Sequence, residues 1–244
     1  MNELTTLTLA QIVNSNHRAA AVLEKYHLDF CCKGKRSLQQ ACTEQQLSVN
    51  EISKELESIF TQNEKADIDF DEMSLGSLCD YIVTKHHEYV RNELPLIYAY
   101  LHKVSTKHGD RHPELHKIFQ TFAAVKEEME SHMKKEEVIL FPRIKELETL
   151  ADKKINVPVN ISYFQSPIRV MEQEHDHAGS LLNEIRLLTD DYYPPADACT
   201  TYRLSFASLR NFELDLHQHV HLENNILFPR TLQLFNKLTN HFLN

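Results

Sequence analysis

The chain has 244 residues, of which 42% are hydrophobic and 25% charged, values typical of a globular protein with a substantial core. Its net charge of −9 disfavours nucleic-acid binding, which needs a basic surface. Four glycines and eight prolines are few for a turn-rich all-β fold and favour long helices. The sequence has no apolar run of membrane-spanning length and no secretion signal, so we expect a cytoplasmic protein with reduced cysteines and no membrane contact.

Residues 1–60 are predicted to form a small helical domain. Short helical patterns cover residues 8–15 and 16–26, and Ser48 and Glu51 have the spacing of a capping box that begins a helix ending near residue 60. Between them, the sequence LDFCCKGK at 28–35 predicts a loop that carries two adjacent cysteines. The polar, acidic residues 61–73 lack a hydrophobic period and are predicted to be a linker.

Residues 74–244 are predicted to form four long helices. Ser166 and Pro167 suit the cap and first turn of the third helix, whereas three other prolines predict kinks or early ends. Four amphipathic helices bury their apolar faces best as an antiparallel bundle, so the predicted fold class is all-α. The predicted helices cover approximately residues 74–106, 113–147, 167–189 and 198–236, and the three further prolines are Pro95, Pro142 and Pro229.

One histidine interrupts the apolar seam, the inward row of alternating three- and four-residue steps, of each predicted helix. In the second and fourth helices a glutamate follows the histidine by four residues. A single seam histidine is usually an ordinary core residue, but a buried carboxylate costs several kcal/mol unless something neutralises it. We therefore predict that the six side chains meet as a metal site: His87, His132, Glu136, His175, His219 and Glu223.

The two glutamate-containing stretches repeat each other. HMKKEEVILFPR at 132–143 and HVHLENNILFPR at 219–230 are 87 residues apart, and His87 and His175 are 88 apart. This spacing indicates a duplicated helical hairpin, whose two ligand sets would meet as pseudo-symmetric halves.

Four imidazoles and two carboxylates without a thiolate suit a pair of first-row metals better than a structural zinc site. If Glu136 and Glu223 bridge the metals, an oxo or hydroxo bridge would leave each metal one position open for a small molecule. Ligand type alone does not choose among iron, manganese and cobalt. Glu128 and Glu174 are predicted either to accept hydrogen bonds from the imidazoles, to lie near the open position, or to be solvated surface residues. Four off-seam histidines are predicted to be on the surface: His86, His177, His217 and His221.

Cys31 and Cys32 form the other chemically notable feature. Lys33 and Lys35 follow them, and adjacent cations lower the pKa of a thiol, which favours a redox or metal-relay role. The alternative is a pair of partly buried cysteines that fill space. The remaining cysteines, Cys42, Cys79 and Cys199, are predicted to be structural.

Several motifs together resemble the RIC (repair of iron centres) family, from about residue 8 to 230: DFCCKGKRSL, LPLI after His87, HMKKEEVILFP, VMEQEHDHAG, PPADACTTY and HVHLENNILFP. The resemblance implies a hemerythrin-like bundle after a short domain with a vicinal cysteine pair, here Cys31 and Cys32. It also implies two iron ions on the same six residues that the seams indicate. His86 stands where the family motif has an aromatic, and the seam favours His87 as the ligand.

The family implies repair of iron–sulfur clusters damaged by nitric oxide or oxidants, with iron supplied from a labile di-iron centre and the cysteines aiding transfer or reduction. Its partners would be damaged iron–sulfur proteins, and a homodimer is compatible with this role. Two other functions use the same bundle: a carrier or sensor of dioxygen or nitric oxide, and a nitric oxide reductase. A metal-free interaction bundle is a further alternative.

Overall fold

The computed structural model describes residues 3–61, 68–155 and 160–240. Within these ranges the secondary structure is helical apart from one isolated bridge between Thr8 and Ser37, which confirms the all-α prediction. Two compact units form: Met1–Ser74 with His217–Arg230, and Leu75–Leu216 with Thr231–Asn244. The division at residues 60 and 73 stays a prediction, and the central part of the predicted linker, 62–67, lies outside the described residues. None of the described helices combines the length and apolarity needed to cross a membrane.

Short helices with side-chain caps build the N-terminal segment. Thr8 and Gln11 form a capping box at the start of the first helix, and Ser37 and Gln40 form a second one at the third. The third helix is absent from the predicted elements, although its Ser-x-x-Gln signature is visible in the sequence. The helices are α1 (Leu9–Ser15), α2 (Ala19–Lys25), α3 (Leu38–Glu44) and α4 (Val49–Thr61), after a 3₁₀ turn at Glu3–Thr5.

The loop between α2 and α3 packs closely against α1. The amide N–H of Ala10 donates to the carbonyl of Gly34 over 2.9 Å. A Cβ atom on Gly34 would lie 2.2 Å from the carbonyl oxygen of Phe30, so no larger residue fits without moving the loop. The glycine therefore sets the path of the segment that carries Cys31 and Cys32.

Beyond residue 74, long helical stretches occupy each region where the sequence predicts one. Three of them change from α to π geometry along their length. The elements are α5 (Leu75–Ile82), π1 (Val83–His87), α6 (Glu88–His108), α7 (Glu114–Lys135), π2 (Glu136–Leu140), α8 (Phe141–Asp152), α9 (Ser162–Leu188), α10 (Thr200–Leu222), π3 (Glu223–Leu227) and α11 (Phe228–Asn240).

The π segments account for the behaviour of two prolines. In π2 and π3 the N–H of Phe141 bonds the carbonyl of Glu136, and that of Phe228 bonds the carbonyl of Glu223, each five residues back. A proline ring clashes with the carbonyl four residues earlier in a regular α-helix, and the wider π turn relieves that clash. The expected irregularities therefore occur just before Pro142 and Pro229, whereas α6 continues through Pro95.

A π turn also shifts the seam by one residue. The a/d spacing predicts Ile139 on the inward face, but its side chain is 43% exposed, whereas Leu140 and Phe141 are buried. The prediction for Ile139 in π2 is therefore wrong, whereas Ile226, at the corresponding position of π3, is buried as the seam predicts.

Helix α9 begins at Ser162, five residues before the predicted start at Pro167. The side chain of Asn160 accepts from the N–H of Ser162 over 3.0 Å and satisfies the first turn. Pro167 cannot donate to the carbonyl of Tyr163, four residues back. Arg143 supplies the missing donor, because its Nη1 donates to the carbonyl of Tyr163 over 3.1 Å.

The second unit has a tightly packed apolar interior. Phe122 on α7 meets Phe212 on α10 edge to face, with the ring centroids 5.8 Å apart, and Phe164 on α9 packs against Phe235 on α11 at 5.5 Å. All four rings are buried. Within this unit, the packing fixes the faces of α7 and α9, the helices that carry His132 and His175.

Candidate metal centre

The six seam residues predicted as metal ligands are all buried, and each is at most 2% exposed as a whole residue. Their ligand atoms fall into two groups of four, and within each group all of them lie within 4.8 Å of one another. Glu136 and Glu223 belong to both groups. The first group adds His87 and His219, and the second adds His132 and His175.

Three imidazoles surround Glu136. The Nε2 atoms of His87 and His132 lie 3.4 and 3.3 Å from its Oε2, and the Nε2 of His175 lies 3.0 Å from that of His132. The rings of His132 and His175 are tilted by 59°, with their centroids 4.7 Å apart. Three nitrogen donors thus converge on one buried carboxylate.

The second glutamate has a similar local arrangement. The Nε2 of His219 lies 3.1 Å from the Oε1 of Glu223, one helical turn away. Both side chains are fully buried. This pair reproduces the four-residue spacing of His132 and Glu136, as the repeat in the sequence predicts.

Three of the six residues stand at the junctions between α and π geometry. His87 is the last residue of π1, and Glu136 and Glu223 are the first residues of π2 and π3. A π turn inserts one residue and re-aims the side chains beside it, and such turns are common at functional sites. Here the π turns let His87, Glu136 and Glu223 face the interior, while the α-helices on either side of each turn keep their apolar packing.

Two carboxylates hold imidazoles from the outside. Glu137 Oε1 lies 2.6 Å from the Nδ1 of His87, and Glu174 Oε2 lies 2.9 Å from the Nδ1 of His132. A carboxylate accepts, so Nδ1 carries the proton, and in the neutral ring the lone pair of Nε2 points toward the buried carboxylate. This is how metal-binding histidines are oriented in proteins. Glu137 is absent from the predicted site residues.

The two outer carboxylates also contact surface cations. A hydrogen bond from His132 is the largest cause that lowers the pKa of Glu174, and Lys135 adds a second hydrogen bond. Burial raises this pKa, but the two hydrogen bonds outweigh it and the pKa falls to about 2. Burial raises the pKa of Glu137, but hydrogen bonds from His87 and Arg91 outweigh it, so that this pKa is lowered. Both side chains therefore remain ionised acceptors at neutral pH.

Glu128 and the four off-seam histidines have other contacts. Glu128 lies 3.0 Å from the exposed His177, and the half-buried His217 lies 2.7 Å from Glu24. The surface prediction is wrong for His86 and His221, whose side chains are 5% and 4% exposed. A hydrogen-bonding partner explains the burial of His86, because its Nδ1 lies 3.0 Å from Asp215.

The donor set fits a transition-metal ion. Two imidazole nitrogens bound at right angles to one ion, each about 2.1 Å away, would lie about 3.0 Å apart, as those of His132 and His175 do. Imidazole and carboxylate are the donors that iron, manganese and zinc accept, and two buried carboxylates supply negative charge for a cation. When bound, such an ion would supply Lewis acidity or redox chemistry inside the bundle.

The cysteine pair forms a separate cluster with Asp29. Cys31 Sγ lies 3.3 Å from Asp29 Oδ1 and 3.8 Å from Cys32 Sγ. The hydrogen bond with Cys32, burial and the negative charge of Asp29 raise the pKa of the Cys31 thiol well above its ordinary value. The expected lowering by Lys33 and Lys35 is thus wrong for Cys31, because a thiol and a carboxylate surround its sulphur and both lysines are exposed.

Asn225 of π3 and His221 near the end of α10 hold the cysteine loop in place. Asn225 Nδ2 donates to the carbonyl oxygens of Phe30 and Cys31 over 3.2 and 3.0 Å. The ring of His221 meets that of Phe30 at 5.4 Å, and burial lowers the pKa of His221 to about 4, so this imidazole is neutral. The element that begins with Glu223 therefore also positions the backbone of Cys31.

Comparison with known proteins places the chain in a family. A hemerythrin HHE cation binding domain matches residues 80–231, and a domain of unknown function, DUF542, matches residues 5–59. The chain is 38% identical over 224 residues to the iron-sulfur cluster repair protein YtfE of Enterobacter sp. (strain 638), which covers 92% of this chain and 96% of the relative. It is 36% identical over 225 residues, with the same two coverages, to a probable iron-sulfur cluster repair protein of Haemophilus influenzae. The chain belongs to the family of hemerythrin-domain iron–sulfur cluster repair proteins.

Proposed function

We propose that this chain is a di-iron protein that repairs iron–sulfur clusters damaged by nitric oxide or oxidative stress. The observation that carries the proposal is the convergence of four imidazoles and two carboxylates into two overlapping groups of ligand atoms. Relatives of nearly equal length carry the name of iron-sulfur cluster repair proteins.

In this proposal one iron binds to His87 and His219, and the other to His132 and His175. Glu136 and Glu223, which belong to both groups, bridge them. Carboxylate-bound pairs of iron ions occur in ferritin-like helix bundles, where side chains from facing helices hold them. An oxo or hydroxo group would complete the bridge, and Glu137 and Glu174 would orient the imidazoles from outside.

Repair would proceed by donation of iron from this centre to a damaged protein in the cytoplasm. Cys31 and Cys32 would serve as a thiol relay during transfer or reduction. Four imidazoles replace carboxylates that other di-iron sites use, so fewer negative donors hold the ions than in a carboxylate-rich site. Weaker electrostatic retention is what an iron donor requires.

The decisive measurement is metal analysis of the purified protein, combined with Mössbauer spectroscopy and a repair assay. We expect about two irons per chain, a coupled di-iron spectrum and recovery of activity by a cluster enzyme damaged with nitric oxide. A preparation with two irons that fails to restore the enzyme would contradict repair by donation. Reversible dioxygen or nitric oxide binding without iron release would instead identify a carrier or sensor.

A further inference from the structure

The loop between α2 and α3 groups three side chains that can each carry a negative charge: Asp29, Cys31 and Cys32. Their ligand atoms all lie within 4.8 Å of one another. Cys31 is buried, whereas Asp29 and Cys32 are partly exposed, so an ion from solvent can reach the cluster. None of these residues belongs to the histidine-rich centre.

The spacing of the sulphur atoms fits a shared ion. Two thiolates on one tetrahedral metal, each about 2.3 Å from it, lie about 3.8 Å apart. The observed separation of Cys31 Sγ and Cys32 Sγ is 3.8 Å. Adjacent residues have Cα atoms only about 3.8 Å apart, less than the usual disulfide range of about 4.4–6.8 Å, so metal binding suits this pair better than a disulfide.

The third donor is held in position before any ion arrives. The backbone N–H groups of Cys32 and Lys33 donate to Asp29 Oδ1 over 2.9 and 3.3 Å, which fixes the carboxylate beside the Cys31 sulphur. An ionised carboxylate has lone pairs left for a cation after accepting two hydrogen bonds. Asn225 Nδ2 also donates to the carbonyl oxygen of Cys31. The cluster is therefore preorganised rather than a chance meeting of mobile side chains.

We propose that Asp29, Cys31 and Cys32 form a second metal site, which binds one thiophilic divalent cation of the Fe²⁺ or Zn²⁺ kind. Three protein donors leave a fourth tetrahedral position open, as in catalytic zinc sites, where water or substrate occupies it. The site requires no iron at the histidine-rich centre. If the proposed repair function is correct, this second site holds an iron ion by thiolates outside the bundle.

Anaerobic titration of the reduced, full-length protein with Co²⁺ tests this site. Cobalt bound by thiolates gives intense sulphur-to-metal charge-transfer absorption, which imidazole and carboxylate ligands cannot give. We expect this absorption to saturate at one equivalent. Cys31→Ser and Cys32→Ser should each reduce it strongly, and the double variant should abolish it.

Asp29→Asn is the more selective variant, because the amide oxygen can still accept from the two backbone N–H groups. Loss of one negative donor should weaken Co²⁺ binding by about tenfold or more without altering the circular dichroism. Cys199→Ser, at an exposed cysteine outside the cluster, is the matched control and should bind as the unaltered protein does.

Three results would overturn the proposed second site. They are the absence of charge-transfer absorption in folded protein, its persistence in the double cysteine variant, and an unchanged affinity in Asp29→Asn. The repair function is tested separately, because iron at the histidine-rich centre is counted in the same cysteine variants. Loss of Co²⁺ binding with two irons retained and repair intact would remove the second site alone.

Discussion

At the scale of single residues, the metal centre depends on side chains that never need to touch a metal. Glu137 and Glu174 hold the Nδ1 atoms of His87 and His132. Hydrogen bonds from these imidazoles, together with those from Arg91 and Lys135, lower the pKa of both carboxylates. Such outer hydrogen bonds set the tautomer and the direction of an imidazole. We therefore expect Glu137 and Glu174 to influence the affinity of the centre for a metal ion.

Glu137→Gln tests this influence. The amide can still occupy the space, but it is a weaker acceptor for the N–H of His87. We expect iron affinity to fall by about 10- to 100-fold, with the helical content unchanged. Competition with a chelator measures the affinity, and Glu128→Gln is the matched control because Glu128 lies against the exposed His177. Equal iron retention in the two variants would contradict the role of Glu137.

At the scale of elements, the two halves of the repeat have diverged at corresponding positions. Glu137 and Val138 follow Glu136 in the first half, and Asn224 and Asn225 follow Glu223 in the second. The first half uses its extra carboxylate to hold His87. The second half uses its amides to hold the cysteine loop, with Asn225 bonded to Phe30 and Cys31. The two copies of the π turn thus hold different groups: the first holds the imidazole of His87, and the second holds the cysteine loop.

Asn225→Ala should detach the cysteine loop from π3. The change removes two hydrogen bonds to buried carbonyls and should cost about 1–3 kcal/mol of unfolding free energy. Cys31 should also react faster with a thiol reagent, because its backbone is held less firmly. Chemical denaturation and timed alkylation measure the two effects. Val138→Ala, at the corresponding and exposed position of the first half, should change neither.

The contact between α8 and α9 can be tested by a double-mutant cycle. Arg143 bonds the carbonyl of Tyr163 that Pro167 leaves without its usual helical partner. Arg143→Ala should cost about 1 kcal/mol in the natural sequence. Combined with Pro167→Ala, which restores the helical N–H, the same change should cost much less. Additive losses in the denaturation midpoints would show that Arg143 stabilises the unit by another contact.

At the scale of the whole molecule, stability and metal content are expected to oppose each other. Metal-free protein buries two carboxylates whose charge a cation would neutralise, and removing a buried charge in favour of packing is often stabilising. Glu136→Leu or Glu223→Leu should therefore lower iron content and raise the melting temperature of the metal-free protein. Elemental analysis and calorimetry after chelation check both effects. A lower melting temperature with unchanged iron content would contradict the placement of Glu136 and Glu223 in the metal centre.

Much of the architecture can be predicted from hydrophobic periodicity, because each helix of a bundle repeats the same spacing of apolar residues. The seam histidines and their glutamates interrupt that spacing and are therefore visible in the sequence. Glu137, the inward position of Leu140 and the exposure of Ile139 were not predictable in this way, because a π turn changes the period at one point only. The raised pKa of Cys31 depends on Asp29 and Cys32 approaching its sulphur, which needs the folded loop.

The composition of the first unit has a consequence for biosynthesis. Its two parts, Met1–Ser74 and His217–Arg230, are separated by the 142 residues 75–216. A ribosome adding about 5–20 residues per second needs about 7–30 s to make that interval. The nascent N-terminal segment must wait this long for Asn225, whose amide anchors the thiol loop. During translation the cysteine loop therefore lacks both hydrogen bonds from Asn225 until nearly the whole chain has been made.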